Sequence, residues 1–148
     1  YVLDTSEIIN QFIPNAVEKG LRGDLIIPNA VMAEMEKLAN TGKEPGFRGL
    51  EEVKKFRDEK NIKVKFKGKR PTKMQRNYAK SGEIDAMIRN LALKSNATLI
   101  TADLVQAKSA QAYGLEVIYK RPKPIKQKRK TKKRKEGLLK RIYKKIFA

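Results

Sequence analysis

The 148-residue sequence contains no cysteine, no histidine and no tryptophan. Without cysteine the chain can form neither a disulfide nor a thiolate site, which suits a reducing compartment, and we expect a cytoplasmic protein. Without histidine it can use neither a Ser-His-Asp nor a Cys-His mechanism, and it cannot build a zinc site from Cys and His. If the chain is a hydrolase, carboxylates and a metal-activated water are the obvious remaining route.

Two further features are missing. No apolar stretch approaches the roughly 20 residues needed to span a bilayer, so we expect no membrane partner. The phosphate-binding pattern G-x-x-x-x-G-K-[ST] does not occur, because neither Gly-Lys pair, at 42–43 or at 68–69, is followed by Ser or Thr. We therefore expect no ATP site in this chain. No signal peptide is visible, and since the chain begins at Tyr1 rather than Met, the first strand can start before the numbering does.

The net charge of +19 is unevenly distributed along the chain. Residues 120–148 carry 15 Lys and Arg and one acid, Glu136, whereas residues 1–119 carry a net charge of only +5. This division predicts a folded domain at 1–119 and a basic tail at 120–148 that is disordered or partly helical. Such tails bind polyanions through counterion release without sequence specificity. The alternative is a tail that only keeps the protein soluble.

Short apolar runs alternate with longer helical patterns, which predicts an α/β fold with a mainly parallel sheet of four or five strands between helices. The predicted strands are Tyr1–Leu3, Leu25–Ile27, Ile62–Phe66, Thr98–Ile100 and Leu115–Tyr119. The predicted helices are Ser6–Lys19, Asn29–Ala39, a helix from the region of Gly46 and Gly49 to Lys60, Glu83–Lys94 and Leu104–Ala112. In such sheets ligands bind beyond the carboxyl ends of the strands, so acids at those ends are the candidates for chemistry.

Two acids directly follow predicted strands: Asp4 follows the first and Asp103 the fourth. Each has a hydroxyl neighbour that can hold a water molecule, Thr5 and Ser6 beside Asp4 and Thr101 near Asp103. The alternative for both acids is helix N-capping, which Asp performs well. Their position at the carboxyl edge of the sheet favours a site.

Two further acids border the apolar faces of predicted helices. Glu34 lies beside the face that contains Val31 and Leu38, and Asp85 lies beside the face that contains Ile88. A carboxylate so near a core needs a partner, and the alternative to a site is an ion pair with Lys or Arg. Four carboxylates at one sheet edge repel one another unless a cation neutralises them, and oxygen ligands of this kind select Mg²⁺ or Mn²⁺.

Four short motifs, in this order and spacing, resemble those of the PIN-domain (PilT N-terminus) family. They are DTSEII at 4–9, PNAVMAEM at 28–35, GEIDA at 82–86 and TAD at 101–103. The resemblance covers residues 1–119 and implies a PIN-like three-layer α/β/α fold. It also implies metal-binding and catalytic acids at Asp4, Glu34, Asp85 and Asp103, supported by Thr5, Ser6 and Thr101.

Three other segments are similar to one branch of that family, the N-terminal domain of archaeal PIN-domain ATPases. They are ANTG at 39–42, GFRGLEE at 46–52 and KSGEID at 80–85. Proteins of that branch continue into a P-loop ATPase and a KH domain, whereas this chain continues into its basic tail. The sequence is therefore either a piece of such a protein or a stand-alone relative.

These observations lead to three functional hypotheses. The first is an endoribonuclease that uses Mg²⁺ or Mn²⁺. The second is a nucleic-acid-binding or assembly module with a vestigial site, and the third is a docking domain cut from a larger ATPase. The expected partners are RNA or single-stranded nucleic acid and, from the family, a homo-oligomer. The residues expected to contact nucleic acid are Lys67, Lys69, Arg70, Lys73 and Arg76 in a loop beside the cleft and Lys126, Lys128, Arg129, Lys130, Lys132, Lys133, Arg134 and Lys135 in the tail.

Overall fold

The computed structural model describes residues 1–78 and 81–122. The predicted boundary at residue 119 falls within this part of the chain. Of the tail predicted at 120–148 to be disordered or partly helical, residues 123–148 lie outside it. None of the helices in these two segments is sufficiently long and apolar to cross a membrane.

The described residues form five strands and seven helices. The strands are β1 (Val2–Leu3), β2 (Gly23–Pro28), β3 (Ile62–Lys67), β4 (Leu99–Thr101) and β5 (Val117–Tyr119). The helices are α1 (Thr5–Ile9), α2 (Phe12–Glu18), α3 (Asn29–Asn40), α4 (Glu44–Asp58), α5 (Lys73–Tyr78), α6 (Ser81–Lys94) and α7 (Leu104–Ala112). All five predicted strands are present.

The sheet has the order β3-β2-β1-β4-β5, and every neighbouring pair is parallel. The chain runs from β1 through β2 to β3 in one direction, then returns to the other side of β1 for β4 and β5. The order therefore reverses between β1 and β4, where Val2 pairs with Leu99 and Leu3 with Ile100. Such a reversal opens a crevice at the carboxyl ends of the two strands, which is where ligands bind in open α/β sheets.

The core is built from the central strands and the helix faces that cover them. Val2, Leu3, Ile27, Leu99 and Ile100 are fully buried. Near-continuous burial is expected for parallel strands covered on both faces. Helices α1, α3 and α4 pack against one another, while α6 contacts β1 and α7 contacts β4 and β5. The structure confirms the predicted parallel α/β fold.

Two predicted elements differ from the structure. The single helix predicted from Ser6 to Lys19 is wrong, because it is divided into α1 and α2 at Asn10 and Gln11. Gln11 has a left-handed φ of 57°, and Pro14 cannot donate a hydrogen bond to the Asn10 carbonyl, so a continuous helix would lack a bond there. The basic loop predicted at 67–76 contains the start of α5.

Candidate active site

Asp4 is the most strongly held of the four predicted acids. It follows β1, is 5% exposed, and its backbone N–H donates to the Ile100 carbonyl at 3.0 Å. Its Oδ1 accepts from the Thr5 backbone N–H at 2.8 Å, and its Oδ2 accepts from the hydroxyls of Thr101 at 2.7 Å and Ser6 at 3.3 Å. Asp4 is therefore the N-cap of α1 and a fixed carboxylate at the crevice. The capping alternative is observed, and it leaves the prediction of a site open.

Asp103 occupies the equivalent position after β4. Its Oδ1 accepts from the backbone N–H groups of Val105 at 2.8 Å and Gln106 at 3.3 Å, which makes it the N-cap of α7. Its own N–H donates to Thr101 Oγ1 at 3.0 Å. Because Thr101 in turn donates to Asp4, one hydroxyl fixes the backbone of one acid and the side chain of the other. Asp103 Oδ2 accepts no hydrogen bond from the described residues.

Glu34 is brought to the same place by α3. Its Oε2 accepts a short hydrogen bond from the Thr5 hydroxyl, so Thr5 joins Glu34 to the helix that Asp4 caps. The alternative of an ion pair is not observed, since none of the ion pairs among the described residues includes Glu34. Lys37 acts on it only through space.

Asp85 enters the site from α6, beside the buried Ile84 and Ile88. Its backbone carbonyl accepts from Gln106 Nε2 at 3.0 Å. Gln106 Oε1 in turn accepts from Arg89 at 2.6 Å. The Gln106 side chain is 1% exposed, and it connects the helix that carries Asp85 to the helix that Asp103 caps.

The electrostatics show that the four acids act on one another. Burial, followed by the charges of Asp4, Asp103 and Glu34, raises the pKa of Asp85 from 3.8 to about 6. Burial also raises the pKa of Asp4 against the effect of its hydrogen bonds, and Asp103 adds to this rise. The pKa of Glu34 is raised chiefly by burial and further by Asp4, while the Thr5 hydrogen bond opposes the rise. The crevice therefore concentrates negative charge that a cation would relieve.

The side chains present fit a Mg²⁺ or Mn²⁺ ion in their chemistry, since all the donors are oxygens and none forms an ion pair among the described residues. Within residues 1–78 and 81–122, however, no three acidic side chains already form a ligand group for a single ion. Mg²⁺ is commonly bound through one or two carboxylates, with water and substrate phosphate completing its shell. A preformed cage of protein ligands is therefore not required.

The basic residues predicted between 67 and 76 lie towards the β3 end of the sheet edge. Lys67 ends β3, and with Lys69 and Lys94 it lines a cavity of about 270 Å³. Arg70 instead forms an ion pair with Glu36 of α3, so part of its charge is already neutralised. Lys73 and Arg76 belong to α5. The tail residues predicted to bind nucleic acid, Lys126, Lys128, Arg129, Lys130, Lys132, Lys133, Arg134 and Lys135, lie outside the described residues.

Two polar residues of this region were not predicted from the sequence. Gln106 joins α6 to α7, and nothing in its sequence context distinguishes it from a surface glutamine of an amphipathic helix. Glu7 is 1% exposed, and its two carboxylate oxygens accept no hydrogen bond from the described residues. Glu7 lies one helical turn after Asp4 along α1. This spacing is the feature of the sequence from which its position near the site could be predicted.

Comparison with known proteins agrees with this fold. Over 122 residues the chain is 43% identical to an uncharacterised KH and PIN-domain containing protein of Methanocaldococcus jannaschii, a match that covers 79% of this chain and 19% of that protein. The chain thus spans only about a fifth of that curated relative. A solved structure, of a domain of a functionally unknown protein from the same organism, superposes with a TM-score of 0.75 at 42% identity, covering 80% of this chain and 89% of that domain.

The family described as the PIN domain matches residues 1–112, which include all four crevice acids. PIN domains are generally nucleases. The resemblance found in the four motifs, the parallel sheet and the match over three quarters of the chain agree, and the chain belongs to the PIN domain family.

Proposed function

We propose that this chain is a metal-dependent endoribonuclease that cleaves phosphodiester bonds in the crevice between β1 and β4. The observation that carries the proposal is the convergence of four carboxylates from four separate elements, three of them with a raised pKa. Burying mutually repelling acids costs folding free energy, and they would gain most from a bound cation. A structural role in helix capping accounts for only Asp4 and Asp103.

Asp4, Asp85 and Asp103 would hold Mg²⁺ or Mn²⁺, with Glu34 acting partly through water. A bound ion of this kind lowers the pKa of a water molecule and stabilises charge on the leaving oxygen. The protein supplies orientation. Thr101 and Ser6 fix Asp4 by hydrogen bonds of 2.7 and 3.3 Å.

Helix capping does not occupy every carboxylate oxygen of the proposed site. Asp103 uses Oδ1 to cap α7, which leaves Oδ2 available to an ion. Thr5 donates to Glu34 and so holds its carboxylate towards the start of α1. The carboxylates of Asp4, Glu34 and Asp103 are therefore held by hydroxyls and backbone N–H groups. None of the three is held by Lys or Arg among the described residues, which would compete with a metal ion.

Nucleic acid is the substrate class that the remaining charges support. The body carries lysines on the β3 side of the crevice, at Lys67, Lys69 and Lys94, and the tail adds a dense basic segment. Phosphate contacts by Lys and Arg give affinity without sequence information. The proposed substrate is accordingly RNA or another single-stranded nucleic acid.

The proposal is tested by Asp4→Asn in a cleavage assay with Mn²⁺ or Mg²⁺ on structured and unstructured RNA. We expect cleavage to fall by at least about a hundredfold, because an amide is a poor ligand for the ion that activates water. RNA binding should stay the same or strengthen, because one negative charge near the phosphate backbone is removed. Asn caps a helix about as well as Asp, so the fold should survive.

The matched control is Asp58→Asn, an exposed carboxylate at the end of α4, which should leave cleavage unchanged. Loss of cleavage with retained folding and RNA binding supports catalysis at Asp4. Unchanged cleavage by the Asp4→Asn protein would show that the activity arises elsewhere and would overturn the proposal.

A second candidate is a nucleic-acid-binding or assembly module with a vestigial site, which can be the PIN domain of a larger ATPase. It is favoured by the lack, among the described residues, of three acids already grouped around one ion position, and by the much greater length of the curated relative. This candidate predicts RNA binding by the wild-type protein with no metal-dependent cleavage under any of the assay conditions.

A further inference from the structure

A second cavity lies outside the crevice, between α1, α2, α4 and the end of β5. Its volume is about 350 Å³, within the range of about 300–1,000 Å³ that small-molecule sites occupy. The break between α1 and α2 at Gln11 forms one wall, and Arg48 of α4 forms another. Lys120 and Arg121, which follow β5, form the basic rim.

The cavity adjoins the crevice through the backbone. The Lys120 N–H donates to the Thr101 carbonyl at 3.1 Å, and the Thr101 side chain donates to Asp4. The rim is therefore one strand away from the proposed catalytic acids. A nucleic-acid strand whose phosphate lies in the crevice would pass this rim with an adjacent nucleotide.

The cavity wall contains buried polar groups that lack partners. Glu7 lines the cavity, is 1% exposed, and neither of its carboxylate oxygens accepts a hydrogen bond from the described residues. Arg48 also lines it. Its Nη2 forms an ion pair with Glu44 at 2.6 Å, but its buried Nε–H has no acceptor among those residues. A buried carboxylate or guanidinium N–H without a partner is costly, so each such group would be stabilised by a ligand atom that hydrogen-bonds to it.

These charges select the ligand. A carboxylate in the wall repels a phosphate group inside the cavity, whereas the rim of Lys120 and Arg121 repels a simple cation. The ligand that fits has a neutral part that donates hydrogen bonds inside the cavity and a phosphate that lies on the rim. A nucleotide has both parts. Two adjacent N–H donors are required for the two Glu7 oxygens, and a neighbouring acceptor is required for Arg48.

Guanine presents this pattern on its Watson–Crick edge, with the donors N1–H and N2–H next to the acceptor O6. The corresponding edges of the other bases do not, since uracil flanks its single N–H with two carbonyls and adenine and cytosine place one amino group beside a ring acceptor. Single-stranded RNA is commonly recognised through such splayed-out base edges.

We propose that this cavity binds a guanine base of the RNA strand, with N1–H and N2–H donating to the Glu7 carboxylate, O6 accepting from Arg48 and the phosphate on Lys120 and Arg121. The proposal rests on the proposed nuclease function for the identity of the strand, but base binding itself requires no metal. Because the Glu7 oxygens are shielded from bulk water, this proposal requires the side chain to turn towards the cavity that it borders.

The test is an NMR titration of the full chain, without metal, with 5′-GMP, 5′-IMP and 5′-UMP. GMP and IMP differ only in the 2-amino group, so they interact equally with the basic tail. We expect GMP to bind roughly tenfold more tightly than IMP, the effect of one hydrogen bond to a charged acceptor, with shifts centred on amides from Glu7 to Gln11 and at Lys120. UMP should not shift these signals. Equal binding of GMP and IMP, or shifts confined to other surfaces, would overturn the proposal.

The variant Glu7→Gln replaces one acceptor oxygen by a donor and should reduce the GMP preference over IMP to less than about twofold. Glu51→Gln, an exposed change on α4, is the matched control and should keep the preference. If Glu7→Gln does not fold, Arg48→Ala provides the second test, since it should weaken GMP and IMP together. A Glu7→Gln protein that folds and keeps the full preference would refute the assignment.

The guanine could belong to an RNA strand or to a free nucleotide. Two short RNAs that carry guanosine or inosine at the same position distinguish these sources. If the cavity reads a strand, the guanosine RNA binds more tightly and also shifts signals near Asp4. If GMP discriminates from IMP but the two RNAs do not differ, the ligand is a free guanine nucleotide and the strand assignment is wrong. Loss of RNA cleavage with retained GMP binding would count against the nuclease function alone.

Discussion

At the residue scale, the buried acids Asp4 and Glu7 differ in the hydrogen bonds that they accept. Asp4 accepts three hydrogen bonds, so it keeps a defined orientation in spite of its burial. Glu7, one helical turn later, has the same burial without partners. Buried unpaired carboxylates reduce stability and persist where function needs them. Asp4, the proposed metal ligand, therefore has fixed hydrogen-bond partners, whereas Glu7, the proposed base-binding group, has none among the described residues.

The Glu7 carboxyl also gives a prediction for stability against pH. Burial, with a smaller contribution from Asp4 and opposed by Lys120, raises the pKa of Glu7 from 4.5 to about 7. The folded protein thus binds this proton more tightly than the unfolded chain. As the pH rises from 4.5 to about 7, Glu7 therefore lowers the free energy of unfolding progressively. Above that range the whole of this decrease is present. Relative to wild type, Glu7→Gln should therefore gain stability on going from about pH 5 to about pH 8, by about 2 kcal/mol.

The measurement is denaturant unfolding of both proteins at the two pH values. Comparing the two pH values cancels the constant cost of burying an amide in place of a carboxyl. Glu51→Gln, at an exposed position of α4, should show a difference near zero. A Glu7→Gln effect that is the same at both pH values would show that the carboxyl titrates normally in the folded state.

The sequence predicted part of this residue-level arrangement. Asp4 and Asp103 were identifiable because a strand followed by an acid marks the sheet edge, and Glu34 and Asp85 because acids rarely border an apolar helix face. The structure shows electrostatic effects among the four acids, while their shared metal site and catalytic roles remain predictions. Glu7 was not identified, since its missing hydrogen-bond partners depend on where α2, α4 and β5 lie in space.

At the element scale, the site depends on how closely α3 approaches α4. Gly46 and Gly49 of α4 face α3, and a Cβ at Gly46 would lie 2.7 Å from the Met35 carbonyl oxygen and 2.7 Å from Leu38 Cβ. Both distances are below van der Waals contact. The sequence suggested that these glycines flank the start of a helix, but they are inside α4, where they permit close packing against the helix that carries Glu34.

Gly46→Ala should therefore destabilise the protein by about 2–3 kcal/mol, because the backbone of α3 must move to admit the methyl group. Denaturant unfolding measures this decrease. The control is Gly82→Ala in α6, where a Cβ meets nothing within 4 Å and helix propensity should add up to about 1 kcal/mol of stability. Equal effects of the two substitutions would contradict the packing described for α3 and α4.

The break between α1 and α2 shows why element boundaries were harder to predict than element types. Residues 6–19 have a continuous helical pattern of apolar positions, which predicts one helix. Pro14 removes a backbone donor within that pattern, and Gln11 adopts a left-handed conformation that is uncommon for its residue type. The break produces a wall of the second cavity, so the deviation from the pattern has a structural consequence.

At the scale of the whole molecule, positive charges flank negative charges along the carboxyl edge of the sheet. In spatial order the edge has Lys67 at the end of β3, Asp4 after β1, Asp103 after β4 and Lys120 after β5. Four strand spacings of about 4.8 Å separate β3 from β5, or roughly 20 Å. A short single strand lying along this edge would place phosphates on lysines at both ends and one phosphate at the acids.

The tail should supply most of the affinity for nucleic acid. Removing residues 123–148 removes 13 Lys and Arg and one Glu. The dependence of binding on salt concentration should then become much less steep, with the slope falling by about 0.7 for each phosphate that the tail no longer neutralises. Fluorescence anisotropy with a labelled RNA at several salt concentrations measures the slope. Weak binding should persist through the lysines of the sheet edge. An unchanged affinity and slope would show that the tail does not contact the nucleic acid.

The central claim is that the four carboxylates of the crevice bind a divalent cation together. The most direct measurement is a Mn²⁺ titration of the full chain followed by NMR, since the ion broadens signals of nuclei close to it. We predict that broadening begins at substoichiometric Mn²⁺ around Asp4, Glu34, Asp85 and Asp103, and that Asp4→Asn weakens it. Broadening centred on another surface, or none at millimolar Mn²⁺, would contradict the account.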